Sequence, residues 1–130
     1  MVSDPVGDFV VQIRNAGAVR KEQVSLPYSK LKAAIADTLV EAGYLKSAAK
    51  RGKKIKKTLD VELAYEGAAH RIRGVRRLSK PGRRMYLGAD DIHSVKFGKG
   101  TLILSTPAGI MTGEAARKQR VGGEQMFIIW

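Results

Sequence analysis

Between Leu59 and Glu66 the side chains alternate almost without a break, with Leu59, Val61, Leu63 and Tyr65 on one side of an extended chain and Asp60, Glu62, Ala64 and Glu66 on the other. A period of two fits a strand with one face on a core and the other in water. The segments before it carry a different period. Asp4-Pro5 offers a carboxylate to cap free amides and a proline suited to a first helical turn, after which Val6, Phe9, Val10 and Ile13 recur at helical spacing as far as Asn15 to Gly17. Glu22 to Leu26 reads as a short strand. Ser29 is placed to cap a second helix with Leu31, Ala34, Ile35, Thr38, Leu39 and Ala42 on its buried face and Gly43 as its stop. The first half is therefore expected to run helix, strand, helix, strand, strand, with Arg51-Gly52-Lys53-Lys54 as a basic hairpin tip.

The second half is punctuated by glycine and reads mainly as strand. His70 to Leu78 and Arg83 to Leu87 are expected to be extended on either side of a Ser79-Lys80-Pro81-Gly82 turn. Thr101 to Ser105 and Phe127 to Trp130 are apolar runs fit for buried strands, and Thr112 can cap a short helix reaching Arg120, before Gly122-Gly123. The fold class that follows is α+β. Two subdomains are expected: an α/β part over residues 1–66 and a mainly antiparallel β part with a short helix over 67–130.

Charge narrows the function. The 130-residue chain carries 24 Lys and Arg against 12 Asp and Glu, a net charge of +12. Up to Tyr44, Arg14, Arg20, Lys21, Lys30 and Lys32 are matched one for one by Asp4, Asp8, Glu22, Asp37 and Glu41, so the whole excess lies beyond it. Lys46 to Lys57, including Lys54, and Arg71 to Arg84, including Arg83 and Arg84, contain no acidic residue. Such runs are either solvated faces or surfaces that track phosphates, and at this net charge the second reading is favoured. Without cysteine there are no disulfides or thiolate metal sites. With neither a leader-like start nor an apolar run long enough to cross a bilayer, a cytoplasmic protein is expected.

The densest chemistry lies in Leu104 to Glu124. Ser105 and Thr106 precede a turn held by Pro107 and Gly109, and hydroxyls at a strand end can read base edges and 2′-hydroxyls or simply bond their own backbone. Arg117, Lys118 and Arg120 can reach phosphates or remain solvated. Glu124 either pairs with a nearby arginine, the favoured reading, or accepts hydrogen bonds from a base. Tyr86, beside Arg83 and Arg84, can stack on a base, although a place in a core or an interface is the commoner fate of such a ring. Catalysis has little support. His70 and His93 are the only near-neutral bases, Asp90, Asp91 and His93 fit a loop before a short helix as well as a metal cluster, and Gly98-Lys99-Gly100-Thr101 lacks the spacing of a phosphate loop. No cofactor and no enzymatic activity are expected. Neither long helix is rich in the Arg, Asn and Gln of a DNA-recognition helix, which leaves a DNA-binding or repressor module as the weaker alternative.

Four ordered blocks resemble the bacterial type of small-subunit ribosomal protein eight. They are Asp4-Pro5 with Ile13-Arg14-Asn15; Leu26-Pro27 with Ser29-Lys30-Leu31-Lys32; Arg77 to Tyr86; and Ser105-Thr106, Gly109-Ile110-Met111-Thr112, Ala115-Ala116-Arg117 and Gly122-Gly123-Glu124. The resemblance implies a monomer within the small ribosomal subunit that binds the central domain of ribosomal RNA directly and early in assembly, among neighbouring ribosomal proteins, with no membrane or DNA partner. It implies that Ser105, Thr106, Gly109 and Glu124 meet an irregular RNA stem and that Arg14, Lys30 and Lys32 add backbone contacts. Binding to its own messenger RNA, a property of some family members, is left open. This chain departs from the family where Pro107 and Ala108 replace a second serine and a basic residue, which thins the hydroxyl readout, and where Gly113 stands in place of Asp.

Overall fold

In a computed structural model of the protein, residues 5–52, 57–67, 69–92 and 100–130 are described. Helix α1 (Pro5–Ala18) starts at the proline and buries Phe9, Val10, Ile13 and Ala16, while its expected cap, Asp4, lies outside the described residues. Strand β1 (Gln23–Pro27) leads to helix α2 (Lys30–Glu41), where Ser29 Oγ accepts from the Lys32 amide at 3.1 Å. The helix stops at Gly43, whose φ of +88° suits a residue without a side chain. Its buried stripe is Ile35, Ala36, Thr38 and Leu39, so it is turned towards Ala36, and Leu31 remains 39% exposed in place of the expected burial.

Strands β2 (Leu45–Arg51) and β3 (Thr58–Leu63) complete an antiparallel sheet of order β1-β3-β2. The central position of β3 accounts for its strict alternation. Leu59, Val61 and Leu63 are all buried, with Leu26 opposite Leu59 and Leu45 opposite Leu63. On the other face, Asp60 takes a hydrogen bond from Ser25 Oγ at 2.7 Å and pairs with Arg51 at 3.1 Å, and Glu62 lies 3.8 Å from Lys46. Part of the basic run after Tyr44 is thus matched by carboxylates of its own sheet. The alternation ends before Tyr65, which belongs to a separate pair, β4 (Tyr65–Glu66) with β5 (Ala69–His70).

His70 lies opposite Tyr65, their ring centroids 5.5 Å apart. A Cβ on Gly17 would overlap the imidazole, so the bare glycine is what admits the ring beside α1. His70 Nε2 is enclosed and has no hydrogen-bond partner among the described residues. Burial, opposed by a backbone hydrogen bond involving Ile72, lowers the pKa below its ordinary value. The sign follows from linkage: the unfolded chain takes up a proton more readily than the folded one, so His70 favours the folded state above about pH 6.5 and progressively less as the pH falls through its lowered folded value. Denaturant midpoints should therefore fall between pH 7.5 and pH 5, and His70→Gln should flatten that slope. An unchanged slope would show that another group controls it.

The remaining residues form the second unit. By internal contacts the chain divides between Arg73 and Gly74, a little beyond the boundary expected after Glu66, because β5 pairs back onto β4. Strands β6 (Val75–Arg77), β7 (Tyr86–Leu87), β8 (Thr101–Thr106), β9 (Gly109–Thr112) and β10 (Gly123–Ile129) form an antiparallel sheet of order β6-β10-β8-β9, with β7 also paired to β10. The long strand expected over His70 to Leu78 is instead β5 and β6, separated by irregular chain. Arg83 to Leu87 shortens to β7 because the Arg83 backbone exchanges both hydrogen bonds with Lys80, at 2.8 and 2.9 Å. Helix α3 (Gly113–Gln119) is capped as expected, Thr112 Oγ1 accepting from the Ala115 amide at 3.2 Å. Arg120 ends it in the left-handed region, before the expected glycines. Ala116 of α3 packs with Ile92, Leu102 and Leu104 in a core on one face of the sheet.

Candidate nucleic-acid interface

The other face of this sheet carries a row of side chains that a sequence cannot align. Glu124 of β10 is opposite Ser105 of β8 on one side and Tyr86 of β7 on the other, and Ser105 is in turn opposite Ile110 of β9. Residues directly opposite in antiparallel strands project from the same face, so Tyr86, Glu124, Ser105 and Ile110 form one continuous strip. Leu104, the neighbour of Ser105, points into the core beneath α3. The strip is thus backed by packed structure and faces away from it.

Two irregularities make the row possible. Phe127, fully buried, is opposite Ile103, and alternation along β8 puts Ile103 on the same face as Ser105. In a regular strand Glu124 and Phe127, an odd step apart, would point to opposite faces. The register shift between Gln125 and Phe127 inserts Met126 as an unpaired residue and restores both side chains to one face. The second irregularity is Gly122-Gly123. A Cβ on Gly122 would overlap the Leu87 carbonyl oxygen, and one on Gly123 would overlap that of Ser105, with Thr106 Cα at 3.1 Å. These glycines let β10 thread between β7 and β8 and bring Glu124 alongside Ser105.

The hydroxyl pair separates into two roles. Thr106 Oγ1 donates to the Gly109 carbonyl at 2.7 Å and accepts from the Ala108 amide at 3.1 Å, closing the two-residue Pro107-Ala108 turn between β8 and β9. Gly109, at φ +119°, provides backbone that a side chain would strain. Thr106 and Gly109 are therefore turn formers in the free chain. The Ser105 hydroxyl makes no hydrogen bond among the described residues and retains its donor and acceptor capacity.

The carboxylate and the ring also take definite positions. Glu124 Oε1 pairs with Arg84 Nη1 at 3.1 Å, as the favoured reading of that carboxylate required, while Oε2 has no hydrogen-bond partner among the described residues. Tyr86 is 71% exposed, which removes a core as its place and leaves stacking or an interface role: opposite Glu124, its ring stands on the open face of the strip. The loop bearing Arg83 and Arg84 is held at several points. Buried Ser79 donates through Oγ to the Met85 carbonyl and accepts from the Met85 amide at 2.9 Å, and that carbonyl also receives the Gln125 amide at 2.8 Å. Ser79 was expected only as part of the turn; a serine just before Lys-Pro-Gly is also the available signal of a side-chain-stapled turn.

The other candidates are not part of the β7-β10-β8-β9 row. Arg117 is exposed on α3, and Arg14 and Lys30 are exposed in the first unit. Lys32 Nζ there reaches the Pro27 carbonyl at 3.4 Å, and Lys50 covers the Tyr28 ring at 4.9 Å. Lys54 and His93 lie outside the described residues. Among the described residues no group of His, Asp and Glu could hold a metal ion, and no helix is long and apolar enough to cross a membrane.

Comparison with known proteins identifies the family of the chain. The family model of ribosomal protein S8 matches residues 4–130. The chain is 43% identical over 129 residues to small ribosomal subunit protein uS8 of Mycoplasmopsis agalactiae, covering 99% of this chain and 98% of that protein. The protein of that name from Thiobacillus denitrificans is 44% identical over 128 residues, 98% of each chain, and that from Mesoplasma florum is 41% identical over 130 residues, the whole of both. The sequence blocks, the α+β fold and these matches along nearly the entire length agree, and the chain belongs to the ribosomal protein S8 family, whose members are structural constituents of the ribosome and not enzymes.

Proposed function

We propose that the chain is a cytoplasmic constituent of the small ribosomal subunit that binds the central domain of small-subunit ribosomal RNA directly and helps it assemble. The observation that carries this reading is the Tyr86, Glu124, Ser105 strip: an exposed ring, a carboxylate oxygen and an unengaged hydroxyl in line on one sheet face of a protein with net charge +12. An irregular stem with unstacked bases suits such a surface, because a free base face can stack on Tyr86 while its edge reaches Ser105 and Glu124. A regular A-form duplex presents no such base. Arg83 and Arg117 in the same unit, and Arg14, Lys30, Lys32 and Lys54 in the first, supply phosphate contacts whose strength falls with salt. Residues 1–66 and 67–130 act as the two parts of this binder, and neighbouring small-subunit proteins complete its surroundings. In a cell lysate the protein should sediment with small subunits and remain there through moderate salt washes. A purely free pool, with no ribosomal RNA attached, contradicts the proposal.

A further inference from the structure

Arg84 looks like one more cation in a basic run, but its surroundings set it apart from Arg83. The Arg83 side chain makes no ion pair among the described residues, whereas Arg84 is committed to Glu124 at 3.1 Å. Arg84 also stands between two braced residues of its loop. The residue before it is locked to Lys80 by two backbone hydrogen bonds, and the residue after it is held by Ser79 Oγ and the Gln125 amide. An exposed ion pair contributes little to stability, so a net gain in folding free energy does not account for this bracing. Geometry does. The Arg84 guanidinium engages Oε1 of a Glu124 side chain that is 22% exposed, and Oε2 has no hydrogen-bond partner among the described residues.

There is an electrostatic reason for such a pairing. A bare carboxylate brought against RNA meets phosphates of its own sign, and either repulsion or protonation would remove it as an acceptor for base N–H groups. A guanidinium fixed on its other oxygen makes the pair neutral overall while Oε2 keeps its lone pairs. We infer that Arg84 is a positioning residue: it holds and neutralises Glu124 so that the free carboxylate oxygen reads base N–H groups, and it is not itself a phosphate contact. This inference rests on the proposed RNA-reading role of the strip and adds to it a division of labour between adjacent arginines.

The two arginines should then differ in kind when the full-length protein is titrated with the central-domain stem and with a scrambled stem of equal length across a salt series. Arg84→Gln should weaken the central-domain stem by roughly tenfold, comparable with loss of one base-edge contact, and change the scrambled stem by less than about twofold. Its salt dependence should match that of the unmutated protein. In a Glu124→Gln background, Arg84→Gln should add almost nothing, because its partner is already gone. Arg84→Lys, which keeps the charge and a single-point pair, should recover part of the loss. Arg83→Gln should weaken both stems alike and flatten the log–log salt slope by somewhat under one unit. Equal losses on both stems with a flatter slope for Arg84→Gln would make Arg84 a phosphate contact and overturn the inference, as would losses additive with Glu124→Gln or no loss at all. If the unmutated protein does not tell the stems apart, the RNA-reading role itself fails, and the inference with it.

Discussion

Gly123→Ala is expected to damage both the fold of the C-terminal unit and its RNA contact. The added methyl has no space: the Ser105 carbonyl carbon would lie at 2.9 Å and Thr106 Cα at 3.1 Å, and both are backbone of the adjacent strand, which a rotamer change cannot move aside. Overpacking against fixed atoms costs about 1–3 kcal/mol, and the upper end applies where no flexible side chain can yield. Relief requires β10 to move away from β8 at the point where Glu124 and Ser105 are paired. Thermal unfolding should therefore shift down by about 4–8 °C per kcal/mol, and affinity for the central-domain stem should drop at least about tenfold. Gly82→Ala is the control, since a Cβ there meets nothing within 4 Å and should change stability by less than about 0.5 kcal/mol. A Gly123→Ala protein as stable as the parent would contradict the tight approach of the two strands.

Phe127→Ala should have the larger effect on stability alone. Phe127 is completely buried and lies between Ile103, also fully buried, and Arg77 in the neighbouring strands. Removing a buried ring costs about 3–5 kcal/mol, the lost transfer energy plus that of the cavity left behind. That is a large share of the roughly 5–15 kcal/mol by which a protein is stable. The C-terminal unit should melt far below its normal temperature, and RNA recognition should disappear with it. Val11→Ala removes an apolar side chain that is 49% exposed on α1, and by contrast should stay within about 0.5 kcal/mol of the parent. Chemical denaturation of the two variants side by side measures the difference. Similar losses would mean that Phe127 is not the centre of packing that its burial implies.

What could be read from the sequence was what local chemistry dictates. The Ser29 and Thr112 caps, the glycine stop after α2 and the period of β3 each depend on a few adjacent residues, and each is present in the fold. The long strands expected around the Pro81-Gly82 turn were shortened by pairing that sequence does not display. Strand β9 was unreadable for a similar reason, since at four residues it is too short to display an alternation and is defined by its pairing with β8. That pairing decides the fate of the hydroxyls, turning Thr106 inwards to its own turn and leaving Ser105 outward. Tyr86 was weighed towards a core or an interface because aromatic rings usually bury, yet the residue opposite it in β10 is a carboxylate on an open face. The strip itself depends on a one-residue bulge at Met126, and a bulge in a strand of ordinary composition leaves no local signature.

The comparison of Ser105 with Thr106 tests the account most directly. Ser105→Ala and Thr106→Val each remove one hydroxyl from adjacent residues of β8, the first unengaged and the second bonded within its turn. Affinities for the central-domain stem and a scrambled stem, measured across a salt series, should show Ser105→Ala losing about 1–3 kcal/mol on the first, with the scrambled stem and the salt slope unchanged. Thr106→Val should weaken both stems only as far as it destabilises the turn. Equal losses on the two stems for Ser105→Ala, or no loss on either, would reduce Ser105 to a structural residue and contradict the reading of the strip as an RNA-recognition surface.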